Sequence, residues 1–416
     1  MSARNSVRVR TALVVLLGLG LSGVSLGCQE EKPKTTAKEL DAGPPKTAVD
    51  PNLAKAVAAA SANVGAGSAI DLNGPPPTGV FPPGVADKRL AKGSLPKVEL
   101  GNEGTGTKVN LAELLFKPGT KQTQKVLLMF QPGPRTPPIN VTFELAFEVV
   151  KPKAAEGAEP KENLDLVVKF TKVTVDATVT GELAKSLGKL KGSKLTYPLA
   201  ANGGAMALQL ELAKDAEPDV EDLARGVAEN IMASLIAYPD KPVGKDAVWM
   251  ASVRDPHQGV DGLAYRMVKV TSITGEGAET VVDLEISSKY YAADSSIKRL
   301  GIPAGVNPVI QQFRSEGHAV LTYHAGKPVP EGLSTISTMI MMTDSADPQK
   351  QMSMQGSTQL AFGDKGITLA KAVDQARAAQ AAEQAQMQQR LRQMQQQGGG
   401  MQGGGAMPPG DDDMEE

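Results

Sequence analysis

A rhythm of apolar side chains at every second position recurs through the middle of this chain and constrains its fold more than any other feature. Val141, Phe143, Leu145, Phe147 and Val149 share one face, with Thr142, Glu144 and Glu148 on the other. Leu164, Leu166, Val168 and Phe170 repeat the pattern, and then the phase flips to Val173, Val175 and Val179. The same period returns in Met206, Leu208, Leu210, Leu212; in Val282, Leu284, Ile286; in Ala319, Leu321, Tyr323; and in Ile336, Thr338, Ile340, Met342. Period two marks strands with one buried and one wet face, and a flip within a strand marks a bulge or bend. Residues 108–366 therefore read as α+β, mainly β: curved antiparallel sheets, an open barrel or sandwich, with Met339 and Met341 as apolar exceptions on the wet face.

One stretch has a different period. After Pro218, the positions Val220, Leu223, Val227, Ile231 and Leu235 step by three and four, with Asp219 as N-cap and acidic residues in the first turn. This predicts a helix over 219–237 that divides the strands into sets at 108–212 and 246–366, without a clear repeat between them. Residues 76–107 read as an irregular lead-in that docks on the domain. The stretch 28–75 is rich in Ala, Lys, Pro and Gly and reads as a flexible tether, in which Ala54 to Val64 permits a transient helix. Residues 367–397 are an Ala/Gln/Met-rich helix, read as solvated with a partner-binding helix as the rival, and 398–416 are a disordered acidic tail.

The first 27 residues carry Arg4, Arg8 and Arg10, then an apolar run from Ala12 to Leu26, the order of a secretory signal peptide. That run is shorter than the roughly 20 residues that span a bilayer. It ends in Ser25-Leu26-Gly27-Cys28, which resembles the lipobox of bacterial lipoproteins, although Ser25 stands where that motif usually has Leu. The resemblance implies cleavage before the chain's one cysteine, acylation of Cys28, and a membrane partner bound through that lipid anchor. Gln29 is not the Asp that favours inner-membrane retention, which leans the expected address within the cell envelope toward the outer membrane. Cleavage deletes three arginines and no acids, moving the formal charge from -2 to -5. That argues against a nucleic-acid partner.

No familiar chemistry assembles from the motifs. Gly-x-Ser-x-Gly is absent, and Lys191-Gly192-Ser193-Lys194 lacks the second glycine of a nucleophile elbow. Gly188-Lys189 is followed by Leu190 and preceded at five positions by Leu183, so it is not a phosphate loop. His318 and His324 fall on one strand face roughly 20 Å apart, too far to share a metal. With His257 they read as surface histidines, metal or general-base roles being the rivals. No catalytic, cofactor or metal residues are expected. Trp249 closes the segment Tyr238-Pro239-Asp240-Lys241-Pro242-Val243-Gly244…Trp249 and reads as a plug at the sheet end, with an aromatic ligand contact as the rival.

That segment is similar to one in a family of uncharacterised bacterial lipoproteins with a β-rich domain of unknown function. Phe116-Lys117-Pro118-Gly119, Ser315-Glu316-Gly317-His318 and Val329-Pro330 fit the same family. The resemblance covers 108–366; it implies an envelope location and no activity. The expectation is an envelope-anchored, non-enzymatic lipoprotein with a structural or binding role, its partner an envelope protein or an apolar ligand cradled by residues such as Phe143, Leu145, Phe147, Met206 and Leu208. Two rivals stand: an interaction scaffold working through its tail or sheet faces, and an unrecognised hydrolase marked by Asp240, His257 or His324 beside a serine.

Overall fold

A computed structural model describes residues 76–131, 138–152, 163–177, 179, 181–214, 216, 221–297 and 306–398. Cys28, the signal segment, the tether, Asp219 and the tail beyond 398 lie outside the described residues.

The alternating runs form one continuous sheet rather than two. Its strands are β1 (Lys97–Asn102), β3 (Lys121–Gln131), β4 (Ile139–Val150), β5 (Leu164–Val175), β6 (Lys194–Leu199), β7 (Gln209–Glu211), β9 (Val248–His257), β10 (Val260–Thr274), β11 (Val281–Ala292), β12 (Pro308–His324), β13 (Glu331–Asp344) and β14 (Asp347–Phe362). They lie in the order β1-β9-β10-β11-β12-β13-β14-β3-β4-β5-β6-β7, and every pairing is antiparallel. The two strand sets meet where β14 pairs with β3, Leu360 opposite Leu128. The sheet is open, with β1 and β7 at its edges, and β2 (Thr105–Val109) pairs with β8 (Val243–Lys245) as a small second sheet. The phase flip is a bulge: Leu145 opposes Phe170 and Glu144 opposes Lys172, leaving Thr171 unopposed, with its hydroxyl donating to the Glu144 carbonyl at 2.7 Å.

Among the described residues are the helices α1 (Val85–Arg89), α2 (Leu111–Leu115), α3 (Glu182–Gly188), α4 (Glu221–Ser234) and α5 (Gly363–Gly398). The expected helix ends at Ser234, not 237, because Pro239 drives the preceding residues toward extended backbone. The lead-in is more regular than expected. Lys97–Asn102 is a sheet edge paired with β9, and such an edge needs no strict alternation. Among the described residues no helix is long and apolar enough to cross a membrane.

On the inner face, Ala224, Val227, Ala228, Ile231, Met232 and Leu235 of α4 and its exit pack against β3–β6, whose Phe143, Leu145, Phe147, Leu166, Val168 and Leu195 are buried with them. At about 1.5–3 kcal/mol for each large apolar side chain, this contact is a principal source of cohesion. Farther along, Trp249, Val268, Leu284 and Leu321 of the other strand set enclose Ile236, Ala237 and Tyr238. The curvature is steep. β9 and β13 are four strands apart, about 19 Å along the sheet, yet His257 Nε2 stands 2.9 Å from Thr338 Oγ1. The tight β9–β10 turn, with Gln258 and Gly259 at φ 52 and 77, folds over the inner face and its Gln258 N–H donates to Glu229 of α4 at 3.2 Å.

The outer face is polar. Glu144 and Glu148 pair with Lys172 and Lys121, both at 3.2 Å. Asp283 accepts from Ser272 at 2.6 Å and Thr322 at 2.5 Å, with Lys365 at 3.7 Å. Partial burial alone would raise this carboxyl, but the two hydroxyls and the ammonium outweigh it and hold the pKa below the ordinary aspartate value.

Two glycines separate a close approach from open space. A Cβ at Gly244 would stand 2.3 Å from the Thr105 carbonyl oxygen, whereas one at Gly226 in α4 meets nothing within 4 Å. Gly244→Ala is expected to cost about 1–3 kcal/mol, and Gly226→Ala to stabilise by about 0.5–1 kcal/mol, both read by urea unfolding. For Asp283 the folded pKa is depressed, so its contribution is fully present above about pH 3.9 and is lost as pH falls through the lower folded value. The stability gap between wild type and Asp283→Asn should therefore be widest near neutral pH and close progressively in acid; a gap that widened in acid would contradict the assignment.

Candidate functional site

The inner face of the sheet gathers polar groups that the alternation alone would place in a dry core, and they form two clusters. The first surrounds the C-terminal end of α4. A helix leaves its last four carbonyls without intrahelical partners, and this end is buried. The sheet supplies donors here: Tyr323 Oη to the Ser234 carbonyl at 3.2 Å and, just past the helix, Arg266 Nη1 to Leu235 at 3.3 Å and Trp249 Nε1 to Ala237 at 3.0 Å, while Tyr197 Oη donates to the Ala228 carbonyl farther up the helix at 2.9 Å. A guanidinium beside these carbonyls also complements the negative end of the helix dipole. Tyr238 packs edge-on against Tyr323 at 6.2 Å and lies 6.4 Å from Trp249. Burial pushes the pKa of both tyrosine hydroxyls well up, keeping them protonated.

Trp249 thus lies in the core at 1% exposure, where it plugs the sheet and satisfies a carbonyl. Arg266 escaped the sequence reading although the parity of Ala264, Val268 and Val270 turns it inward, where it is buried.

The second cluster is a chain of hydrogen bonds. Ser315 Oγ and Thr338 Oγ1 lie 2.9 Å apart, Thr338 Oγ1 is 2.9 Å from His257 Nε2, and the imidazole stacks on Tyr290 at 4.9 Å. His257 is therefore buried, contrary to its reading as a surface residue; the strand parity Trp249, Ala251, Val253 was the signal that could have found it. Of the other histidines, His318 is on the surface, 3.2 Å from Glu285, and His324 is half-buried at the end of β12. Asp240 is exposed and belongs to neither cluster.

Thr338 lies between His257 and Ser315, and all three are below a tenth exposed, so a nucleophile poised for substrate is not what these atoms form. Among the described residues no group of three or more His, Cys, Asp or Glu is placed to hold a metal. The outer face carries a depression of about 430 Å³ lined by Gln131, Arg314, Glu316, Ser337 and Gln355.

Around the second cluster the face is apolar. Phe313, Ile336, Ile340 and Met342 are buried there, with Val80, Met352 and Met354 half-buried beside them, and among the described residues α4 contributes Ala233. Phe143, Leu145 and Phe147, expected to line a cradle, are instead covered by α4, and Leu208 is half-buried against the same core. Met206 is half-buried.

The class defined by this geometry is an open, strongly curved antiparallel sheet that encloses one helix. Neither protein-family models nor curated proteins match the chain.

The polar ties give a direct test. Trp249→Phe and Arg266→Met each leave a buried carbonyl without its donor, and each is expected to cost about 1–3 kcal/mol in denaturant unfolding. A loss near zero in both would mean that these bonds do not hold the helix end.

Proposed function

We propose that this chain is an envelope-anchored, non-enzymatic lipoprotein that holds an apolar or amphiphilic envelope component in the trough beside α4. The observation that carries the reading is the uneven reach of α4 over the inner face. On the β3–β6 side five of its apolar residues, Ala224, Val227, Ala228, Ile231 and Met232, are buried, with Leu235 just past its end. On the other side it offers Ala233, while Met352 and Met354 remain half-buried at the rim. Unbranched thioether side chains adapt to irregular apolar shapes, and ligand pockets are largely apolar with a few convergent polar groups. His257, Thr338 and Ser315 are such groups. The N-terminal signal and Cys28 support the address, and the resemblance to β-rich lipoproteins supports it without adding an activity.

A scaffold role has one observation in its favour. β3 pairs only with Ser357–Phe362 of β14, so among the described residues Asp347–Gly356 presents an edge without a neighbouring strand, to which an extended peptide could add.

The test is organic extraction of the full-length lipoprotein, purified from membranes in mild detergent, followed by mass spectrometry. A non-covalent lipid or other apolar species is expected near one per protein, and depleted in Met354→Gln. Extracts with nothing beyond detergent carry-over would overturn the ligand reading; a protein crosslinked through 347–356 in that same material would point to the scaffold instead.

A further inference from the structure

Three methionines meet on one face of the β13–β14 hairpin. Met342 lies directly opposite Met352, and Met354 is two residues on, opposite Ile340, so all three side chains project from the same side. They belong to one apolar cluster, Met342 buried and the other two half-buried, which leaves the group reachable from solvent. Directly opposed residues place their Cβ atoms about 5 Å apart, and the diagonal neighbour is about 7 Å away. Three rotatable bonds in each side chain let the sulfurs converge from those anchors, while adjacent paired strands hold the anchors rigid. Met339 and Met341 point the other way and are not part of the group.

We infer that Met342, Met352 and Met354 form a trigonal thioether site for a soft monovalent cation, Cu(I) or its analogue Ag(I). Thioethers select Cu(I) over hard cations. They also suit a chain whose one cysteine is the acylation candidate, since a thioether neither forms a disulfide nor has a proton to lose. Asp344 and Asp347 close the same hairpin and add negative charge near the site. The site differs in kind from a His/Cys/carboxylate centre. It does not depend on the ligand proposal above: a cation needs the three sulfurs, not an occupied trough.

The experiment is titration of Ag(I) into the full-length protein in chloride-free buffer, followed by NMR of ¹³C-methyl-labelled methionines. The methyls of Met342, Met352 and Met354 are expected to shift together and to saturate at one equivalent. Replacing all three by Leu, which keeps volume and apolar character, is expected to weaken that binding by at least about tenfold. With Cu(I), X-ray absorption is expected to show a sulfur-only first shell. Shifts confined to methionines of the C-terminal region, such as Met387, or equal affinity in the triple-Leu protein, would overturn the site. Should the triple variant fail to fold, the methyl assignment in the wild type decides alone.

Discussion

A helix that ends inside an apolar enclosure must find partners for its last carbonyls, and this requirement organises the molecule. Here donors come from strands distant in sequence: Tyr323 donates to the Ser234 carbonyl, Arg266 and Trp249 to those of Leu235 and Ala237 in the buried exit from the helix, and Tyr197 of the other strand set donates to Ala228 within it. An unmade buried hydrogen bond costs more than a made one contributes. The sheet is thereby constrained to keep both its halves close to the same helix. The curl that results brings His257 to Thr338 across four strands.

The two sides of the inner face differ in what covers them. On the β3–β6 side α4 packs down with Ala224, Val227, Ala228, Ile231 and Met232, whereas the other side is built from the sheet's own Phe313, Ile336, Ile340 and Met342, with Ala233 of α4 beside them. In the proposed function, the half-buried Met352 and Met354, on the stretch of β14 that has β13 but not β3 beside it, are where a ligand would meet the protein.

Much of the architecture was legible in the sequence because half-buried antiparallel strands write themselves as alternation. The bulge at Thr171 was visible as a phase flip between Phe170 and Val173, and the helix as steps of three and four. Other features leave no such trace. The pairing of β14 with β3 is a long-range choice that local patterns do not encode, so two strand sets could not be told from one sheet. Edge strand β1 alternates poorly because only one neighbour constrains it. His257 and Arg266 were hidden by their chemistry: polar residues default to the surface, and only strand parity together with a buried partner reverses that. Gly244 opens the turn that Ala247 closes and also allows a close approach to Thr105, which local sequence does not reveal.

Native-state hydrogen exchange tests the shared helix most directly. If α4 ties the halves together, amides of β4 and β5 and amides of β11 and β12 exchange through one cooperative opening of the same free energy, and Trp249→Phe lowers both by the same amount. Two separate opening energies, with the substitution felt only on the Trp249 side, would contradict the account.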